Sequence, residues 1–106
     1  MIEWSPETLH ARLQRADGMP FILDVREPWE YRLAHIPGSV LIPMREVGLR
    51  MEELPKDRDI VVVCHHGIRS RIVAAHLHRH GFERVINLAG GLDAWSLRVD
   101  PRLPRY

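Results

Sequence analysis

The run Ile60-Val61-Val62-Val63 restricts the fold of this chain more than any other feature. Branching at Cβ stiffens χ1 and favours a strand over a helical turn. The run has no polar alternation, so both faces of the strand need cover. That is the situation of a central strand in a parallel sheet with helices on each side. The run ends at Cys64, the only cysteine among 106 residues. A polar loop containing Gly67 follows, and then a helix from Ser70 to His80 that stops at Gly81.

The same alternation extends along the chain. Ser5-Pro6-Glu7 has the chemistry of a helix start, with Ser as cap, Pro at the first helical position and an acid in the first turn. Leu9 and Leu13 then share one helical face. Phe21 to Val25, Ser39 to Ile42 and Val85 to Leu88 read as short strands. Glu27 to Tyr31 opens a short helix, Val47, Met51 and Leu54 keep helical spacing across a weakening Gly48, and Leu92 to Leu97 forms a last helix. Strands alternating with helices give βαβ units and an α/β class. Ligands of such sheets bind at the carboxyl ends of strands. That rule selects the ends of the 60–63 and 21–25 strands.

The length fits one domain, since a chain of this size buries roughly two-thirds of its unfolded surface and its halves would bury too little. We expect residues 1–97 to form it and residues 98–106, with two prolines and three arginines, to be a surface tail. Fifteen Lys and Arg balance fourteen Asp and Glu, which excludes nucleic-acid binding by charge alone. No apolar run approaches a membrane span, and the N-terminus lacks the pattern of a secretory signal. A lone cysteine excludes an internal disulfide and any multi-cysteine zinc site, and favours a reducing, cytoplasmic setting. Met1 directly before the first element suggests a free-standing protein.

Cys64 lies where chemistry is expected. A thiol is a nucleophile only as the thiolate. A loop entering a helix N-terminus offers backbone N–H groups and positive potential, and Arg69 adds a fixed charge; all three favour a thiolate and an anionic substrate. Gly67 permits a tight curl, and Ser70 either caps the helix or hydrogen-bonds the sulfur. A cysteine closing a buried strand also serves as a small core residue. Packing alone, however, requires neither Gly67 nor Arg69.

Four motifs in order resemble the rhodanese-like sulfurtransferases. Cys64-His65-His66-Gly67-Ile68-Arg69-Ser70 is similar to their active-site loop, Cys-x-x-Gly-x-Arg-Ser. Asp24-Val25-Arg26-Glu27, with Tyr31 shortly after, resembles their Asp-Val-Arg-Glu segment. Ala34-His35-Ile36-Pro37-Gly38-Ser39 and Gly90-Gly91-Leu92-Asp93-Ala94-Trp95 resemble two further segments, with Ala34 in place of the usual Gly. The resemblance implies a three-layer α/β/α fold around a five-stranded parallel sheet. It implies transfer of sulfane sulfur through a Cys64 persulfide, from a donor such as thiosulfate to cyanide, a thiol or a sulfur-carrier protein, with no cofactor. The alternatives are a non-enzymatic docking module, a protein-to-protein sulfur relay, and a phosphatase or arsenate reductase. The last two enzymes place their arginine six residues after the cysteine, whereas Arg69 is five after Cys64.

Asp24 reads as structural support through backbone N–H groups. Arg26 adds charge to the pocket, forms a structural ion pair, or turns to solvent at the strand end. His76 and His80 are four apart on one helix, but no acid completes a His-Glu-x-x-His pattern, so no metal site is expected. His35 is expected to be structural, and Trp4, Trp29 and Trp95 to pack in the core or at its rim. Ile68 beside two histidines makes a weakly cationic rim and predicts weak affinity for thiosulfate.

Overall fold

The computed structural model describes residues 1–106 and runs β1 (Ile2–Trp4), α1 (Pro6–Leu13), β2 (Phe21–Asp24), α2 (Pro28–Leu33), β3 (Val40–Leu41), two 3₁₀ turns (Met44–Leu49 and Met51–Glu53), β4 (Ile60–Val63), α3 (Ile68–Arg79), β5 (Val85–Leu88) and α4 (Gly91–Arg98). The strands form one parallel sheet in the order β1-β5-β4-β2-β3. No helix is long and apolar enough to cross a membrane.

β4 is central and all four of its residues are buried, as its unbroken branched sequence requires. Side chains alternate across the sheet. Ile60, Val62 and Cys64 face a core built with Val73, Ala74 and Leu77 of α3, Val47, Leu54 and Phe82. Val61 and Val63 face the opposite core, which holds Leu9 of α1 and Leu92 and Trp95 of α4. Period-two geometry therefore puts Cys64 on the α3 side of the sheet.

Local chemistry sets several boundaries. The Ser5 hydroxyl accepts from the Thr8 N–H at 3.1 Å, capping α1 with Pro6 in the first turn. In α2, Glu27 and Glu30 close a capping box around Pro28. α3 begins at Ile68, two residues before the position read from periodicity. Gly67 adopts φ +97°, so the loop ends earlier and Ser70 lies inside the first turn.

The structure corrects two readings. The 47–54 segment is two 3₁₀ turns instead of a helix, because Arg50 breaks the path at φ −121°, although Val47 and Leu54 still reach the core. β1 escaped the pattern because it is a three-residue edge strand with Ile2 and Glu3 exposed. Beyond α4 the chain stays largely at the surface, with Val99, Leu103 and Tyr106 partly buried against the α1/α4 core.

A buried charge pair anchors the loop after β2. Arg26 is fully buried, and its Nε and Nη2 donate to the Asp24 carboxylate at 2.9 and 2.8 Å. Its Nη2 also donates to the Ala34 carbonyl at 2.6 Å and its Nη1 to the Glu30 carbonyl at 3.3 Å. Arg26 is therefore a structural ion pair and adds no free charge to a pocket, since a guanidinium deprived of water must be paired. The Asp24 carboxylate also accepts from the Arg26 N–H at 3.1 Å. Removing one partner strands the other charge, so Arg26→Leu is expected to cost about 3–5 kcal/mol. Urea unfolding of the two proteins measures this, and a loss below about 1 kcal/mol would contradict the role given to the pair.

Candidate active site

Cys64 follows β4 directly and is 1% exposed. Its Sγ accepts from the Gly67 N–H at 3.0 Å, and its thiol donates to Ser70 Oγ at 3.3 Å. Ser70 donates in turn to Asn87 Oδ1. Asn87 is buried in β5, and its Nδ2 donates to Glu3 at 2.9 Å, which fixes the amide so that Oδ1 faces Ser70. Ser70 thus bonds the sulfur and does not cap the helix. The chain of bonds runs from the sulfur to β1 at the sheet edge.

The loop is sorted by peptide polarity. The N–H groups of Leu92 and Asp93, free at the start of α4, donate to the carbonyls of Cys64 at 2.8 Å and His65 at 3.0 Å. In a trans peptide the N–H points opposite to the C=O. The His65 and His66 N–H groups therefore point away from α4, and neither they nor the N–H groups of Ile68 and Arg69 meet a protein acceptor. This leaves a set of donors for an anion. Two glycines permit the arrangement. Gly67 needs its left-handed φ, and a Cβ on Gly91 would fall 2.4 Å from the Cys64 carbonyl.

Arg69 makes a bidentate ion pair with Glu30 at 2.7 and 2.9 Å. The Arg69 guanidinium, opposed by burial, holds the Glu30 carboxyl down at about 2, while Glu30 raises Arg69. Tyr106 completes the cluster: its hydroxyl donates to Glu30 at 2.8 Å and accepts from Arg26 Nη1 at 2.8 Å. Burial, foremost, pushes the Tyr106 phenol up to about 12. The positive charge that the sequence places at the loop is thus largely offset by a buried carboxylate.

The rim is formed by His65, His66 and Ile68. Ile68 is 70% exposed. The His65 ring stacks on Tyr106 with centroids 3.9 Å apart and planes 6° apart. Burial lowers the His65 pKa, with His66 adding to the effect. Trp29 meets Tyr106 edge-on, while Trp95 lies in the core. His35 stacks on Tyr31 and bonds its carbonyl, consistent with a structural role. His65, His66 and Asp93 are a group of metal-type ligands that the fold gathers.

Of the residues expected at the site, Gly67 and Ser70 contact the Cys64 sulfur, Arg69 pairs with Glu30, His65, His66 and Ile68 share the same loop, and Asp24 and Arg26 pair with each other after β2. Glu30, Asn87, Glu3, Tyr106 and Asp93 were not singled out. Their partners lie 17 to 84 residues away or belong to loops whose approach no local pattern reports. Only Glu30 left a sequence signal, the capping-box spacing with Glu27.

Known proteins resemble this chain in sequence and in fold. The rhodanese-like domain profile matches residues 5–98. A sulfurtransferase of Allochromatium vinosum is 39% identical over 94 residues, covering 89% of this chain and 87% of that protein. The thiosulfate sulfurtransferase GlpE of Pseudoalteromonas translucida is 36% identical over 79% of this chain and 80% of its own length. Other relatives are longer; the chain spans 43% of a putative sulfur carrier protein of Bacillus subtilis and 24% of an adenylyltransferase and sulfurtransferase of Ogataea parapolymorpha. The crystal structure of a rhodanese-related protein from Thermoplasma volcanium superposes with a TM-score of 0.85 at 26% identity, covering 93% of this chain and 94% of that one.

The Glu30 carboxyl has a pH consequence. Its folded pKa lies below the ordinary 4.5, so its contribution to stability is complete above that pH and is lost as pH falls towards 2. Glu30→Gln is expected to be less stable than the parent at pH 7 and to lose less on acidification between pH 4.5 and 2. Urea midpoints across that range measure it, and parallel acid profiles would refute the assignment.

Proposed function

This chain belongs to the rhodanese-like domain family of sulfurtransferases, and on that premise we propose that Cys64 carries sulfane sulfur from a small donor to a thiophilic acceptor. The observation that carries the reading is the seating of Sγ. It accepts the Gly67 N–H, beneath a loop whose other N–H groups have no protein acceptor.

The steps follow from that seating. The Cys64 thiolate attacks the outer sulfur of thiosulfate. A new S–S bond forms at Sγ, the donor's S–S bond breaks, and sulfite leaves with the bonding pair. The terminal persulfide sulfur carries negative charge, and N–H donors of the loop stabilise it much as an oxyanion hole stabilises oxygen. An acceptor then attacks that sulfur: cyanide leaves as thiocyanate, a thiol as a persulfide, and the Cys64 thiolate is restored. Dividing one transfer into two is covalent catalysis. No cofactor enters these steps.

Burial of Sγ favours sulfur over phosphorus chemistry. A sulfane sulfur is a single terminal atom and reaches a recessed nucleophile. A phosphate presents its central atom behind a shell of oxygens and needs the wider cradle of a loop one residue longer. The acceptor is a thiol or a sulfur-carrier protein in a cytoplasmic setting. A docking module without chemistry has no use for the sorted N–H groups.

Mass spectrometry of the intact protein tests the carrier role. The parent is expected to gain the mass of one sulfur atom on incubation with thiosulfate and to lose it to cyanide, while Cys64→Ser gains nothing. No gain from any sulfane donor would overturn the reading. Affinity for thiosulfate is expected to be weak, with KM far above the low-micromolar range, because Glu30 offsets Arg69 and Ile68 occupies the rim. Glu30→Gln frees the guanidinium and is expected to lower that KM about fivefold, the effect of about 1 kcal/mol of ion pairing. An unchanged or higher KM would show that Arg69 does not attract the donor.

A further inference from the structure

The rim holds a second constellation that sulfur transfer does not use. His65 and His66 lie in the Cys64 loop, and Asp93 lies in the first turn of α4. Each offers one ligand atom, and these atoms all lie within 4.8 Å of one another. His66 Nε2 is 3.8 Å from Asp93 Oδ2. An independent observation bears on the same place: His65 Nε2 is buried and has no hydrogen-bond partner. A buried polar atom without a partner is rare in a folded protein. We propose that His65, His66 and Asp93 form a site for a divalent transition-metal ion of the zinc class, with three protein ligands and one position left for an outside ligand.

The chemistry of the set fits such an ion. Two imidazoles and one carboxylate are borderline N and O donors, suited to zinc or cobalt and poorly suited to calcium or magnesium. Tetrahedral zinc holds such ligand atoms about 3.3 Å apart, so the group must contract by up to about 1.5 Å and the His66 ring, now packed on His65 with centroids 3.9 Å apart, must turn out of that contact. The freedom is available, because the His66 side chain is 58% exposed. The other two ligands are held by their neighbours. Tyr106 fixes the plane of the His65 ring by stacking. Arg105 donates to Asp93 Oδ1 at 2.8 Å, orienting the carboxylate, and its weaker 3.2 Å contact to Oδ2 is the one a metal would replace. The fold also supplies a contrast. His76 and His80 are neighbours on α3, but they lack a carboxylate, and His80 Nδ1 is engaged with the His76 carbonyl at 2.8 Å.

Cobalt titration of the full chain carrying Cys64→Ser tests the site without the competing thiol. The expected result is a saturable visible d–d absorption of tetrahedral type, complete at one equivalent and reversed by zinc. Asp93→Asn and His66→Ala are each expected to weaken binding at least about tenfold, whereas the double change His76→Ala with His80→Ala leaves it unaltered. Far-UV circular dichroism checks that each variant is folded, and His66, exposed and without a close hydrogen bond, carries the test if Asp93→Asn unfolds. Absence of a saturable band, retention of parent affinity in both site variants, or loss of the band only in the α3 variant would overturn the proposal.

Discussion

The buried guanidinium of Arg26 is the constraint on which the Cys64 end of the molecule depends. A full charge removed from water must find acceptors on every side. Arg26 finds them in the Asp24 carboxylate, the Ala34 and Glu30 carbonyls and the Tyr106 hydroxyl. Those bonds join the end of β2, both ends of α2 and the last residues of the chain into one body. Glu30, held within that body, then grips Arg69 and so ties α3 and the Cys64 loop to it. The network costs desolvation and returns position: it fixes where the loop sits relative to the sheet.

A second constraint acts on the loop itself. α4 spends its free N-terminal N–H groups on the Cys64 and His65 carbonyls, which turns the following N–H groups the other way. A helix start that usually attracts an external anion here prepares a neighbouring loop to do so. The approach is so close that only glycine is tolerated at position 91. The second of the paired glycines thus acts on the cysteine loop, although it lies more than twenty residues beyond it.

Much of the fold was legible because its signals are local. The branched run gave β4, Ser5-Pro6 gave the start of α1, and Cys64 with Gly67 and Arg69 marked the loop. β1 was not legible, since three residues at a sheet edge carry no period and draw their stability from β5. The two 3₁₀ turns keep the spacing of a helix without its hydrogen bonding, because 3₁₀ and α periods differ little over so short a stretch. Arg26 could not be assigned from sequence, as a strand-end arginine reads the same whether it turns to a pocket or to a neighbouring carboxylate.

The sequence by itself determined the alternation of strands and helices, the place of Cys64 at the end of the central strand, and the glycine and arginine that follow it. These are properties of residue type and spacing, which act over a few residues. Tertiary structure alone decided the electrostatics and the rim. It brought Glu30 onto Arg69, Asn87 onto Ser70, Tyr106 onto His65 and Asp93 beside His66, each across a fold-dependent gap. Charge and hydrogen bonding depend on distance in space, and separation along the chain carries almost no record of it.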